Sequence, residues 1–333
     1  MKTIVIGRDF DLPLVGCIHY GVIDRGTNIL QVRPTTICPL SCVFCATDAG
    51  PKSRSRLTEA IVRLDLMLEW LEWAVKAKGC RQIEVHIDTV GDPLTYPWLP
   101  DLVEEASSMR EVKVTSIQTH GHLLTERLVD DLEAAGLSRI NLSIDALDPE
   151  LAREISGTPG YSVERVKYMA EVIADSSIDL LIAPVWVPKL NDSEIPRIIE
   201  FALEVGAGKR WPPLGVQKYL EHPRGRKPKG VKPMSWQAFY SKLREWEREY
   251  GVKLVLRRED FNIHPHPQIV KDLRVGSKIE VELEAPGWLK GEKIGVCKGR
   301  AVTVVDAGEL PLGARVRARV IWSKHGLAIA RPY

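Results

Sequence analysis

Three cysteines crowd into the stretch TTICPLSCVFCATDAG, residues 35 to 50, of a 333-residue chain that contains six. Cys38, Cys42 and Cys45 follow C-x3-C-x2-C spacing, so a backbone that curls there brings three thiolates to one centre. Four cysteines would complete a structural zinc site or an ordinary 4Fe-4S site. Cys17, Cys80 and Cys297 stand far apart in sequence and form no second close pair, which disfavours a zinc ribbon. A cluster held by three cysteines leaves one iron open to an outside ligand, and an open iron is chemically useful. His264 and His266, set among prolines in HPHPQ, lack a local third ligand and read as linker residues. Asp88 stands where a strand would end, placed to position a substrate, and Tyr219 is placed to donate or relay a hydrogen.

Such residues need strands whose ends converge. Strand-like runs occur at NILQVR (28–33), IEVHID (83–88), VKVTSIQ (112–118), INLSID (140–145), DLLIAPVWV (179–187) and LGVQKYL (214–220). Helical spacing fills the gaps: about 57–78 (Leu57, Ile61, Leu64, Leu68, Leu71, Val75), 98–108, 125–135, 163–175 and 192–205. Trp70 and Trp73 fall near the first apolar stripe and are expected in the core. Alternation of this kind predicts an α/β fold, a partial (β/α)6 TIM-like barrel or open curved sheet. From about Leu273 the pattern changes to short alternating strands, IEVELE, AVTVVD and RVRARVIW, separated by the turns GWLKGEKIG and AGELPLG. The expected organisation is an α/β domain over 1–260 with an N-terminal extension, a linker over 261–272, and a small C-terminal β-barrel over 273–333.

Lys and Arg total 46 against 44 Asp and Glu, so net charge says little about partners and any basic surface is local. No window approaches the ~18 apolar residues that span a bilayer. The N-terminus MKTIVIGRDFDLPLVG has no leader pattern. The expectation is a soluble cytoplasmic protein with reduced thiols and no membrane partner.

The cysteine stretch, directly after a strand and with Phe44 before the third thiol, resembles the motif that defines the radical SAM superfamily. That resemblance implies a 4Fe-4S cluster on Cys38, Cys42 and Cys45, with S-adenosylmethionine (SAM) on the fourth iron. It further implies reductive cleavage of SAM to a 5′-deoxyadenosyl radical, and an electron donor such as a ferredoxin or flavodoxin. DTVGDPL, with Gly91, Asp92 and Pro93, is similar to the family's glycine-rich segment that receives the SAM amino group, although Val90 and Asp92 replace a Gly and a Glu. SIQTHGHLLT, with Gln118 and Thr119, looks like the family's turn after the third strand. Ser143 and Asp145 in INLSIDALDPE are similar to the pattern near the SAM ribose and carboxylate. Val187 and Asn191 in LIAPVWVPKLNDSEI resemble the segment that packs on adenine. The likeness covers about residues 28–257.

Two features bear on the substrate. Residues 209–232, KRWPPLGVQKYLEHPRGRKPKGVK, carry eight Lys or Arg against one Glu, interleaved with Trp211, Tyr219 and His222. Cations beside flat rings suit phosphate and base contacts, and the candidates are Lys209, Arg210, Lys218, Arg224, Arg226, Lys227 and Lys229. The C-terminal unit resembles a TRAM domain, an OB-like barrel of RNA-modifying enzymes, in which Arg315, Arg317 and Arg319 would share one strand face. The organisation resembles archaeal-type uncharacterised Fe-S oxidoreductases more than methylthiotransferases, and one cluster is expected. The leading expectation is RNA modification, with tRNA as the partner. Two alternatives stay open: the same chemistry on a metabolite, lipid or peptide with the barrel as a lid, or a non-enzymatic zinc and RNA-binding protein.

Overall fold

A computed structural model describes all residues, Met1–Tyr333. In chain order it places β1 (Lys2–Ile6), β2 (Gly21–Asp24), β3 (Ile29–Arg33), β4 (Thr58–Val62), α1 (Leu64–Lys78), β5 (Ile83–Ile87), α2 (Leu99–Ser108) and β6 (Val112–Thr119). Then follow α3 (Glu126–Ala134), β7 (Arg139–Leu142), α4 (Pro149–Ser156), α5 (Val163–Asp175), β8 (Asp179–Ile182), β9 (Val185–Trp186), α6 (Glu194–Glu204), β10 (Gln217–Lys218) and α7 (Trp236–Tyr250). The last strands are β11 (Lys278–Pro286), β12 (Lys293–Cys297), β13 (Arg300–Val304), β14 (Arg315–Lys324) and β15 (Leu327–Pro332). Local chemistry sets the helix starts. The side chains of Thr125, Asp148, Ser162 and Ser235 each accept from a backbone N–H in the first turn of α3, α4, α5 and α7.

The chain forms two compact units. The first comprises Met1–Ile37, Arg54–Val114 and His264–Tyr333, the second Cys38–Ser53 and Thr115–Ile263, with the division falling inside β6.

In the first unit β3 pairs antiparallel with β2 and parallel with β5, and β1 pairs parallel with β4. The final five strands close into a barrel of order β11-β12-β13-β15-β14. Its interior is filled by Val281, Leu283, Val302, Val304, Ala318 and Ala330 among others. On β14 the alternation is clean: Val316, Ala318 and Val320 point in, while Arg315, Arg317 and Arg319 are exposed. The stretch expected to link domains is well anchored. Pro265 bridges to Thr27, the Asn28 N–H donates to the His264 carbonyl, and Lys78 reaches the Pro267 carbonyl at 2.9 Å.

In the second unit β6, β7 and β8 run parallel. The expected fifth strand is split into β8 and β9 at Pro184, which has no N–H to give a ladder. The expected sixth strand shrinks to the two residues of β10, paired with β9, because Pro212 and Pro213 precede it and only Leu214 bridges to β8.

Other expectations need correction. The helix over 57–78 starts only at Leu64, since TEAIV is drawn into pairing with β1, and Leu57 is exposed. The buried stripe of α1 is Leu66, Met67, Leu71, Ala74, Val75 and Lys78, which leaves Trp73 exposed rather than in the core. Two helices, α4 and α7, had no counterpart in the periodicity, and β12 begins inside GWLKGEKIG, a stretch expected to be turn.

The buried Lys78 ammonium at the end of α1 bonds both carboxylate oxygens of Asp24, at 2.8 and 2.7 Å. Asp24 also accepts from the Gly26 and Ile269 N–H groups. Lys78→Ala strands that carboxylate, and removing one partner of a buried pair costs about 3–5 kcal/mol. Denaturant unfolding should show a lower midpoint at an unchanged slope.

Candidate active site

Residues 38 to 53 contain no helix or strand, so their backbone groups must find partners outside regular structure. Within the second unit the N–H groups of Ser41 and Val43 donate to the carbonyls of Ser156 and Ile155 at the end of α4, at 3.0 and 2.9 Å. Lys52 reaches the Gly157 carbonyl at 2.5 Å. Arg226 engages the loop most extensively: Nε donates to the Cys42 carbonyl, one terminal nitrogen to Asp48 and the other to the Ala49 carbonyl, each at 2.7 Å. Its N–H donates to the Cys45 carbonyl at 2.8 Å.

Cys38 and Cys42 are buried, Cys45 is half-buried, and Phe44 packs inside. Burial pushes the Cys45 thiol up, but the Thr47 hydroxyl, the Ala49 N–H and Arg226 outweigh it and hold the thiol below its ordinary value. No three His, Cys, Asp or Glu side chains are gathered around a point that one metal ion could occupy. Cys38, Cys42 and Cys45 lie in one loop, and three thiols on a loop suit the three-cysteine side of an iron-sulfur cluster.

Next to the thiols stands His120, whose Nε2 lies 3.8 Å from the Cys42 sulfur. Its charge opposes the burial that raises the Asp145 carboxyl, and the Val185 N–H bonds the same carboxyl at 2.8 Å. Gln118 donates to the Ser143 hydroxyl at 2.8 Å, and Thr119 accepts from the Gly121 N–H. The structure therefore brings Asp145 and His120 beside Cys42, and Gln118 beside Ser143. Asn191 differs from expectation. Fully buried, it gives both amide hydrogens to the Asp145 and Val185 carbonyls and accepts from the Val187 N–H, so it serves as a backbone staple with no donor left for a cofactor. Val187 is completely enclosed. Tyr219 is buried with a hydroxyl that has no hydrogen-bond partner, and burial raises its pKa.

In the first unit Asp88 is engaged by Gln31 and by Arg33, the latter at 3.7 Å. The 90–93 turn is tightly built. Asp92 caps a short helical turn by accepting from the Leu94 N–H, and Pro93 opens that turn. Gly91 lies so close to the Thr36 and Ile37 carbonyl oxygens that a Cβ would overlap both. Arg56, a residue the sequence did not single out, is wholly buried there. It donates to the carbonyls of Val90 at 2.5 Å and Thr36 at 2.8 Å, pairs with Glu59, and lies under the Trp288 ring. Cys17, raised to about 11 by burial, and Cys297, also raised by burial, are neutral thiols of the same unit.

The cations expected to meet RNA separate into two groups. Lys209 bonds the Ser176 and Ile178 carbonyls and Arg210 the Ser138 carbonyl. Both therefore sit at the entering ends of β7 and β8, opposite the strand ends that carry Ser143 and Asp145. Arg226 is tied to the cysteine loop. Arg224, Lys227 and Lys229 are exposed, and Lys218 lies 4.8 Å from the Trp236 ring centre.

Among known families, residues 32–202 match the Radical SAM superfamily. An uncharacterized protein of Methanocaldococcus jannaschii is 36% identical, covering 99% of this chain and 80% of its own length. A GTP 3′,8-cyclase of Chlorobaculum tepidum is 29% identical over 60% of this chain, which spans 56% of that enzyme. Among solved structures, Streptococcus suis SuiB aligns with 68% of the chain at a TM-score of 0.51 and 18% identity, and the chain covers 49% of SuiB. No helix is long and apolar enough to cross a membrane.

Gly91→Ala places a methyl against two carbonyl oxygens in a packed turn, an overpacking worth roughly 1–3 kcal/mol. The expected outcome is a lower melting temperature for the metal-free protein together with poorer iron retention, read by calorimetry and iron analysis.

Proposed function

The chain belongs to the radical SAM superfamily, and from that premise we propose that Cys38, Cys42 and Cys45 hold its 4Fe-4S cluster and that the substrate is an RNA, tRNA in the first instance. Held by Cys38, Cys42 and Cys45, such a cluster would supply the electron for reductive cleavage of SAM. The chain's own part is to hold three thiols in a rigid loop and to offer polar groups to SAM. Ser143 and Gln118 retain hydrogen-bonding capacity for its ribose or carboxylate, with Thr119 and Asp145 beside them in sequence. Backbone carbonyls of the Gly91-Asp92-Pro93 turn suit an amino group, and Asp88 and Tyr219 are the candidates for contact with substrate.

One observation carries the RNA reading. Trp236 and Tyr240 are exposed, stack with ring centres 5.8 Å apart and planes 22° from parallel, and have Lys218 against Trp236. Exposed Arg224, Lys227 and Lys229 lie on the segment that leads toward this pair in sequence. Flat rings with nearby cations accommodate a base and its phosphate. The exposed Arg315, Arg317 and Arg319 row on β14 suits a phosphate backbone, although Arg315 is paired with Glu282 at 3.0 Å. A free purine nucleotide is the second reading, favoured by the similarity to a GTP 3′,8-cyclase.

Replacing any one of Cys38, Cys42 and Cys45 by Ala is expected to remove the visible absorption and abolish 5′-deoxyadenosine formation from SAM under a low-potential reductant. An Ala variant that keeps a full cluster and cleaves SAM would exclude that cysteine as a ligand. For the substrate, fluorescence anisotropy should show tRNA affinity falling linearly in log–log against salt, with the slope reduced by about one in Lys229→Gln. Trp236→Ala should weaken binding by roughly 1–3 kcal/mol if a base stacks there. Salt-independent or absent tRNA binding, with saturable binding of GTP instead, would transfer the assignment to the free nucleotide.

A further inference from the structure

The segment HPRGRKPK, residues 222 to 229, reads as a nucleic-acid arm by charge count, yet one of its cations faces inward. The Arg226 side chain is 19% exposed, and its acceptors lie 177 to 184 residues earlier in the chain. Three acceptors, the Cys42 carbonyl, an Asp48 oxygen and the Ala49 carbonyl, each stand 2.7 Å from a different guanidinium nitrogen. The residue's own N–H closes a fourth bond to the Cys45 carbonyl at 2.8 Å. These four bonds span the turn that contains Cys45, from the second thiol to beyond the third. The approach also requires a small residue before the arginine: a Cβ on Gly225 would come within 2.9 Å of the Cys45 carbonyl oxygen and 3.0 Å of the Ala46 Cα.

We infer that Arg226 is a positioning residue for the iron-sulfur cluster. Its guanidinium, delivered by a close-packed Gly225, fixes the Cys42–Ala49 turn from outside and, paired with Asp48, puts a cation in the loop that carries the thiols. The inference rests on Cys42 and Cys45 being cluster ligands. A planar fork with donors in three directions is what this acceptor set needs, and a lysine ammonium on a flexible stem cannot span it. Positive charge near a cluster stabilises its reduced form, so the same side chain bears on both the geometry and the potential of the site.

The test uses the full chain in three variants, Arg226→Gln, Arg226→Lys and Gly225→Ala, each reconstituted anaerobically. Arg226→Gln should lower cluster retention against a chelator about 10-fold or more and shift the midpoint potential of the remaining cluster to more negative values. Arg226→Lys should restore the potential toward the parent while retention stays low, a split that a general loss of folding would not produce. Gly225→Ala, which keeps the charge, should reduce retention and alter the EPR line shape of the reduced cluster. Hydrogen exchange on the metal-free proteins should quicken at amides 42–49 and stay unchanged in β7 and β8. Parent-like retention, potential and exchange in Arg226→Gln would overturn the inference. If Arg226→Gln fails to fold, parent-like retention and line shape in Gly225→Ala would overturn it instead. A parent protein that binds no iron while the exchange pattern holds would refute the ligand assignment and leave the Arg226 contact standing as a loop support only.

Discussion

A loop without helix or strand cannot satisfy its own backbone as those elements do, so the carbonyls and N–H groups of residues 38 to 53 depend on partners elsewhere. The cysteine loop meets this constraint by pairing with other unsatisfied ends. The last carbonyls of α4 have no partner inside their helix, and Ser41 and Val43 supply their N–H groups. The carbonyls of Cys42, Cys45 and Ala49 in turn take donors from Arg226. Both arrangements are charge-assisted or dipole-assisted and largely enclosed, which makes the loop stiff before any cofactor arrives.

In the first unit the same economy of partners is built around one buried guanidinium. Arg56 ties the Val90 carbonyl, in the turn before Asp92, to the Thr36 carbonyl just ahead of the cysteines, and Glu59 balances its charge. Burial raises the Glu59 carboxyl, while Arg56 and the Thr36 hydroxyl pull it back toward the ionised form. The Trp288 indole covers Arg56 at 4.6 Å and also contacts His19. Trp288 comes from the connection between β11 and β12, so the terminal barrel helps to enclose this ion pair, whose partners then depend on each other and on the Val90 and Thr36 carbonyls. Whatever else the barrel binds, it has a structural duty toward the Val90 turn.

Periodicity exposed most of the scaffold because buried parallel strands and capped helices repeat their chemistry locally: β3, β5, β6 and β7 and the helices α2, α3, α5 and α6 lie close to where apolar spacing put them. It failed where a partner distant in sequence decided the outcome. TEAIV fits a helix as well as a strand, and pairing with β1 on one side and with residues 34–36 on the other resolves the choice. The cysteines stand out in the sequence because their spacing is itself a signal. Arg56 and the inward role of Arg226 do not, since an enclosed cation and a surface cation look alike in a sequence. The one local hint for Arg226 is the glycine before it, whose missing Cβ is explained by the Cys45 carbonyl. Asn191 entered through the family resemblance of its segment, and its side chain staples the bend after Val187.

The division among the cations has a physical consequence that charge counting hides. Arg224, Lys227 and Lys229 are in solvent, where ions of the medium compete with any phosphate they meet. Arg226, two residues from Arg224, makes short charge-assisted bonds to groups that are mostly enclosed, and mobile ions screen such bonds far less. Salt should therefore screen the exposed cations without loosening the cysteine loop. One short segment thus carries two electrostatic regimes, an exposed one that responds to the medium and an inward one that does not.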